Sequence, residues 1–509
     1  MLVYLLSPIL RSLAKLASWS TYNKFNQGLA NPEYAQRVLF RKLMKSYNGS
    51  KLALKCGPVK SYDDFTKNLR PIEYEELKDS FLSTVPSRIK FYEKTSGSSG
   101  ASKLIPYTSD LLGSFSSLFK IWAFDLLAYG PLLNRGRFYF SISPQFDNDS
   151  GLEDDSDYLD SFFKWLLKPL MVGNSKLKKL KKPQNFKKAL ALSLLAEPNL
   201  EVISVWSPSY LTVITDYCRA DLENLIAALR VGSINLEGQK FTFPVADEER
   251  IKTIRQMDWQ EIFPKLKLIS TWGNAHAKKG FQDLIEIFPQ AFVQAKGLLA
   301  TEAPLTVPLI KYGAQAPLIN EVFFEFISKE NKILLLHQLE QAQVYEVLIT
   351  QKGGLYRYKL GDLVKVTGTI KNTPALEFVG KSGLVSDLVG EKLNEIFVQG
   401  KLAALGLKGV TALIPDLNGS KYYLLSSDIS VTQVTTRFDA ELMESFHYTN
   451  ARKLGQLNCV EALYIEDLSN LLNEYHQKFK GMKLGDIKPQ SIYHKEHNGE
   501  LFQFLSKSL

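Results

Sequence analysis

Between residues 202 and 288 short apolar runs alternate with longer segments of helical period. Val202–Trp206 and Leu266–Trp272 have strand length, whereas Tyr210–Arg230 and Phe281–Phe288 space their apolar residues by three and four. This alternation predicts an α/β layered domain. From Glu321 to Val366 the pattern changes to strands, Val322–Ile327, Ile333–Leu336, Glu346–Thr350 and Leu363–Val366. Upstream, Asn31–Leu82 reads as mainly helical, Ile89–Glu93 as a strand and Tyr107–Leu127 as a long aromatic-rich helix. A boundary is expected at Gly380–Gly383, with a smaller α/β module beyond it.

A chain of 509 residues exceeds one compact core and calls for two or three domains. Its 45% hydrophobic and 23% charged content excludes collagen, coiled coil and wholesale disorder. A net charge of +9 admits anionic ligands such as nucleotides without demanding nucleic acid. Cys56, Cys218 and Cys459 lie far apart, which fits a reducing, cytoplasmic setting. The six histidines form no HExxH and no His/Cys cluster, so no zinc site is expected. No apolar run reaches the ~18 residues of a membrane span.

At the start, Leu2, Leu5, Leu6, Ile9, Leu10, Leu13 and Leu16 share one helical face, with Arg11 and Lys15 near its edge and Pro8 interrupting it. The expectation is a helix docked on its own domain; weak membrane association through residues 2–16 is the alternative. The acidic stretch Asp147–Asp160 lacks calcium-loop spacing and reads as a solvated loop and helix start. The basic run Lys176–Lys188, with Leu177 and Leu180 interleaved, reads as a surface helix.

Three segments carry chemistry. In Lys94-Thr95-Ser96-Gly97-Ser98-Ser99-Gly100-Ala101-Ser102-Lys103 a strand enters a glycine turn packed with hydroxyls and followed by a lysine. Glycines let backbone N–H groups approach an anion, and the hydroxyls and Lys103 add donors and charge, the parts of a phosphate loop. The lysine spacing is not that of a Walker A loop. In Leu298-Leu299-Ala300-Thr301-Glu302 a glutamate ends a buried-looking strand, where one carboxylate together with substrate phosphates can hold Mg²⁺. In Leu355-Tyr356-Arg357-Tyr358-Lys359-Leu360-Gly361-Asp362 aromatic and basic residues alternate into Gly-Asp, and a carboxylate fixed there can accept ribose hydroxyls. Taken singly, each segment also suits a plain surface loop or hairpin.

In this order the three segments resemble the core motifs of the adenylate-forming (ANL) superfamily. More narrowly, the chain resembles the Gretchen Hagen (auxin-responsive promoter) family of acyl-acid amido synthetases, in its bacterial branch. The resemblance extends through Leu69–Leu77, Lys103–Thr108, Val205–Ser209, Leu266–Gly273, Lys296–Glu302, Thr373-Pro374, Phe378–Gly380 and Ser386–Leu393. It implies a large N-terminal domain, residues 1–379, of mixed sheets flanked by helices with a β-barrel-like subdomain. A smaller mobile α/β C-terminal domain, residues 380–509, would follow, together making the acyl-adenylate-forming fold.

The reaction implied is ATP-dependent adenylation of a carboxylic acid, then transfer of the acyl group to an amine, commonly of an amino acid. ATP and Mg²⁺ are the implied cofactors, and a monomer is expected. By the same resemblance, Thr95, Ser96, Gly97, Ser98, Ser99, Gly100 and Lys103 would bind phosphate, and Thr301 the α-phosphate. Glu302 would hold Mg²⁺, Asp362 the ribose, and Tyr358 would lie near the nucleotide. Lys488 would be delivered by the C-terminal domain to the α-phosphate. Phe115, Phe119, Trp206 and Ser209 are candidates for the acyl pocket. Lys381, Ala303 and Gln490 stand where Arg, Gly and Arg are usual, and Leu298 stands where superfamily relatives often have Tyr. A thioester-forming acyl-CoA-type ligase and a silent nucleotide-binding scaffold are the alternatives.

Overall fold

A computed structural model describes residues 2–74, 76–77, 89–96, 102–133, 136–141, 168–173, 175–274, 277–382, 385–416, 420–480, 491–493, 501 and 504–505. They fall into two compact units, Met1–Lys94 with Leu104–Gly380, and Thr95–Lys103 with Lys381–Leu509.

In the first unit, Arg137–Phe140, Leu200–Ser204, Leu268–Thr271 and Phe292–Ala295 form a parallel sheet in that order. Leu200–Ser204 and Leu268–Thr271 are buried throughout, as strands covered on both faces must be. The helix expected over Tyr210–Arg230 is two helices, Pro208–Ala220 and Leu222–Val231. The break is Asp221, a poor helix former whose carboxylate accepts bonds from Tyr217 Oη (2.8 Å) and Asn224 Nδ2 (2.6 Å). The basic run is likewise not one helix. A 3₁₀ turn, Ser175–Lys179, precedes a helix that Pro183 opens, and Leu177 and Leu180 between the lysines are fully buried.

The second sheet runs in the order Ile333–Leu335, Val322–Ile327, Val344–Gln351, Tyr358–Ile370, Thr373–Lys381, the first four strands pairing antiparallel. One apolar core joins Phe324, Phe326, Val347, Ile349 and Tyr358 to Leu111, Phe115 and Leu118 of the helix Ser109–Tyr129. That helix was expected to start at Tyr107. Tyr107 instead lies within the strand Ser102–Thr108, because Thr108 Oγ1 accepts from Leu111 N (3.2 Å) and caps the helix. Ser109–Tyr129 is apolar and long enough to cross a membrane by composition, but its Leu111, Phe115, Leu118, Ile121, Phe124 and Leu126 are buried inside the protein.

The N-terminal helix, Leu2–Gly28, packs along Ser109–Tyr129. Arg11, Ala14, Ser18, Tyr22 and Phe25 form its buried face, and Tyr22 stacks on Phe124 at 4.3 Å. Ile9, Leu13, Leu16 and Trp19 stay exposed.

In the second unit, Tyr422–Ser426 lies between antiparallel Thr411–Pro415 and parallel Glu461–Tyr464. Leu413, Leu424, Val398, Phe438 and Tyr448 fill its core. Within that core Glu391 is fully buried; its carboxylate accepts from Leu388 N (2.7 Å), Val389 N (2.8 Å) and Tyr422 Oη. Burial, and then the neighbouring Asp387, push this carboxyl up to about 7. The folded state therefore holds the proton more tightly than the unfolded chain. The stabilisation is complete below the ordinary glutamate value of 4.5 and is lost as pH rises towards 7. From pH 5 to 8 the wild type should lose on the order of 2–3 kcal/mol relative to Glu391→Gln. Unfolding midpoints of the two proteins at several pH values check this; parallel pH profiles would contradict it.

Candidate active site

Thr301 and Glu302 are the two turn residues of a tight hairpin in which Ala300 pairs with Ala303 and Leu299 with Pro304. The hairpin is anchored by Thr306 Oγ1, which accepts from Leu298 N at 2.7 Å. Gly297 packs so closely that a Cβ there would lie 2.1 Å from the Thr306 carbonyl oxygen. Ala303, where the family usually has glycine, is fully buried in the returning strand. The Thr301 carbonyl accepts from Tyr107 Oη at 2.8 Å. The Tyr107 ring lies between Phe91 (5.1 Å) and Phe115 (5.8 Å), both nearly parallel to it. Phe115 thus serves as a core prop beneath Tyr107.

Glu302 is only 7% exposed, and its Oε1 accepts from Tyr358 Oη at 3.3 Å. Burial, then the charges of Glu302, Tyr74 and Asp362, raise the Tyr358 phenol far above its ordinary value, so it remains a donor. Tyr358 is fixed by its backbone. Ile72 N donates to Arg357 O and Lys359 N to Ile72 O, each at 2.9 Å, adding the Leu69–Ile72 segment alongside the strand in parallel. Tyr74 Oη accepts from Leu104 N at 2.7 Å, tying the same segment to the strand Ser102–Thr108.

Pairing of Tyr358–Ile370 with Val344–Gln351 shifts register between Glu346 and Leu348, opposite Leu360–Asp362. Gly361 takes φ +75° there, a left-handed bulge that favours glycine. Asp362 follows it and is 2% exposed. The result is two buried carboxylates, Glu302 and Asp362, whose charges both act on one buried phenol. Among the described residues no three His, Cys, Asp or Glu side chains gather to hold a metal unaided. A lone carboxylate suits Mg²⁺, which keeps waters and binds through one or two carboxylates plus phosphates.

Phe115 and Phe119 lie on the helix Ser109–Tyr129, and Trp206 and Ser209 around the start of the helix Pro208–Ala220. Phe119 lines an apolar cavity beside the N-terminal helix. Trp206 and Ser209 lie beyond the carboxyl end of the strand Leu200–Ser204. There Ser209 Oγ meets Ser207 Oγ at 2.6 Å and the Trp206 ring neighbours Trp272 at 5.9 Å. Lys296, which the sequence reading gave no role, lies over the Trp206 ring at 4.4 Å and donates to Ser204 Oγ at 2.9 Å. Its only signal in the sequence is a lysine before glycine at a strand end. Carboxyl ends of parallel strands are where open α/β sheets bind ligands.

Gly97, Ser98, Ser99, Gly100, Lys488 and the acidic stretch 147–160 lie outside the described residues, as does Gln490. For Thr95, Ser96 and Lys103 the backbone alone is described, in the strands Ile89–Ser96 and Ser102–Thr108.

Residues 21–292 match the model of the GH3 family N-terminal domain, and residues 316–381 that of the GH3 family central domain. A jasmonoyl-L-amino acid synthetase, JAR6 of Nicotiana attenuata, is 32% identical over 122 residues, 22% of this chain and 21% of its own. An indole-3-acetic acid-amido synthetase, GH3.17 of Arabidopsis thaliana, is 40% identical over 67 residues, 13% of this chain and 11% of its own. These matches thus span about a fifth of the relatives' length or less. The structure of GH3.15 acyl acid amido synthetase superposes with a TM-score of 0.61 at 17% identity, covering 94% of this chain and 95% of that one. A 2-hydroxyisobutyryl-CoA ligase gives 0.55 at 11% identity, covering 93% and 92%. The fold is that of the adenylate-forming ligases, and with one domain model matching more than half its length the chain belongs to the Gretchen Hagen 3 (GH3) family.

Proposed function

We propose that the protein uses ATP to adenylate a carboxylic acid and then transfers the acyl group to an amine, an amino acid being the acceptor class. The observation that carries this reading is the buried Glu302 on its two-residue turn, hydrogen-bonded by Tyr358 from the strand that continues into Asp362. In the first half-reaction the acid's carboxylate oxygen attacks the α-phosphorus and pyrophosphate leaves. In the second, the amine nitrogen attacks the acyl carbonyl, loses a proton, and AMP leaves.

Mg²⁺, when bound, neutralises phosphate charge, and Glu302 is the residue that would hold it. The protein's own part is positioning. Tyr358 orients the Glu302 carboxylate, Tyr107 fixes the Thr301 carbonyl, and Asp362 accepts the ribose hydroxyls. The hydroxyls of the glycine turn and Lys103 take the remaining phosphates. The relatives' names, jasmonoyl-L-amino acid synthetase, indole-3-acetic acid-amido synthetase and 4-substituted benzoates-glutamate ligase, all describe joining an acid to an amino acid. They favour an amine acceptor over the thiol of the CoA-ligase alternative.

Acid-dependent exchange of pyrophosphate into ATP tests the first step, and incubation with amino acids or CoA tests the second. Amide product supports the reading; thioester product replaces it with the CoA-ligase alternative. Asp362→Asn is expected to raise the KM for ATP about tenfold, by weakening charge-assisted bonds to ribose. An unchanged KM would remove Asp362 from the nucleotide site.

A further inference from the structure

A surface helix normally turns its apolar residues inward. Glu248–Gln256 does so, burying Ile251 and Ile254 and showing glutamate, lysine and arginine to water. The N-terminal helix, Leu2–Gly28, does not. Its inward face is Arg11, Ala14, Ser18, Tyr22 and Phe25, yet its outward face carries Ile9 (57% exposed), Leu13 (42%), Leu16 (72%) and Trp19 (55%). Their spacings of four, three and three set them in one row about three turns long. Single exposed apolar residues are ordinary, but an aligned row forgoes hydrophobic stabilisation at every turn and marks a contact surface. Ser12 stands in the same row. Its Oγ donates to the Pro8 carbonyl (2.9 Å), so the hydroxyl is satisfied within the helix and needs no water.

Charge identifies what covers the row. Residues 2–28 contain no aspartate or glutamate; their charged residues are Arg11, Lys15 and Lys24. Arg11 is buried against Glu201, whereas Lys15 and Lys24 are exposed and flank the row on opposite sides. Two further exposed lysines stand beside the Lys15 edge. Lys371 Nζ donates to the Asn26 carbonyl (2.6 Å), and Lys311 Nζ lies 4.9 Å over the Tyr129 ring, itself 6.5 Å from the Tyr22 ring. An apolar row edged by four cations matches a bilayer whose headgroups carry negative charge. Trp19 at the end of the row adds an indole, apolar in body with a polar N–H, the type of side chain that collects at membrane–water interfaces. A single convex row is narrow for a protein partner, which would bury about 800 Å² on each side. A bilayer demands no matching relief.

We propose that the outer face of Leu2–Gly28 docks the protein on an anionic lipid surface. The helix lies in the interface plane, with Ile9, Leu13, Leu16 and Trp19 immersed and Lys15, Lys24, Lys311 and Lys371 on the headgroups. The inward face keeps its contacts with Ser109–Tyr129, so docking needs no unfolding. Docking of this kind is independent of the adenylation chemistry.

The test is co-sedimentation of the full chain with vesicles of phosphatidylcholine alone or with about 30% phosphatidylserine. Wild type should partition onto the anionic vesicles about tenfold more strongly, and raising salt from about 0.1 to about 0.5 M should remove most of that difference. Leu13→Gln with Leu16→Gln should weaken binding to anionic vesicles at least about tenfold, and so should Lys15→Gln with Lys24→Gln. All four side chains are exposed, so unfolding midpoints should not move. Tryptophan emission should shift to the blue on anionic vesicles, and Trp19→Phe should remove the shift. No binding to anionic vesicles, equal binding to both compositions, or binding that survives loss of Leu13 and Leu16 overturns the proposal. A blue shift that persists in Trp19→Phe also overturns it, by placing another part of the chain at the lipid. So does dimerisation in vesicle-free sedimentation that is lost in the Leu13, Leu16 variant, because a second copy would then be what covers the row.

Discussion

Glu302→Gln is expected to lower acid-dependent pyrophosphate exchange about a hundredfold or more while leaving the fold intact. The glutamine amide has the shape of the carboxylate, and its oxygen can still accept the bond that Tyr358 Oη now gives to Oε1. The hairpin beneath it depends on the Ala300–Ala303 pairing, the Thr306 hydroxyl and the Tyr107 bond to Thr301, none of which involves the Glu302 side chain. What the variant loses is the charge, at a position only 7% exposed, where water screens little. A hundredfold corresponds to about 2.7 kcal/mol of transition-state stabilisation, the size expected when a buried group that neutralises phosphate is removed. The half-saturating Mg²⁺ concentration should rise with the loss of rate, and the unfolding midpoint should not move. Exchange kinetics over a Mg²⁺ titration, with thermal unfolding as control, measure both. Near-normal exchange would remove Glu302 from the reaction; a large fall in the midpoint would make its role structural.

How much of this was legible in the sequence varied with the range of the contacts. Val322–Ile327 has the same bounds in the structure as in the sequence reading, because a short run of aromatic and β-branched residues, buried almost throughout, leaves a local pattern. The glycine turn before Asp362 was legible because turn chemistry is local too, and Gly361 takes φ +75°; Glu302, read as the end of a buried strand, is instead in a two-residue hairpin turn. Tyr107 was misread because helix period cannot see that Thr108 caps the helix. Asp221 was misread because its competing bonds include an ion pair from Lys188 at 3.1 Å, far away in sequence. Arg11 looked like the edge of an amphipathic stripe; its burial depends on Glu201, 190 positions along. Tyr74 and Ile72, which support the Tyr358 strand, had no chemical signature, since their contribution is made largely by position.

Arg357 shows the same limit and supports the second large expectation. In the sequence it is one basic residue in an alternating aromatic segment that could face solvent. In the structure it is 2% exposed and Glu325 is fully buried; Nη2 and Nε donate to Glu325 Oε1 (2.9 Å) and Oε2 (3.1 Å), and Nη1 donates to the Leu69 carbonyl (2.7 Å). Its φ of +49° is held by Thr350 Oγ1, which accepts from its N–H at 2.9 Å. Arg357→Met removes every charged donor to Glu325 and leaves that carboxylate buried with Tyr62 Oη at 2.7 Å. Breaking a buried pair from one side costs about 3–5 kcal/mol, whereas replacing both partners with apolar residues costs far less. Arg357→Met should therefore destabilise the N-terminal unit by that amount, and Arg357→Met with Glu325→Met should recover most of it. The single variant should also lose exchange activity, because releasing the Leu69 carbonyl slackens the Ile72–Tyr358 pairing that positions the donor to Glu302. Denaturant unfolding of the two single variants and the double variant closes a cycle whose coupling term measures the pair. Additive losses would show that Arg357 and Glu325 act independently, and the segment would then owe its geometry to the glycine bulge alone.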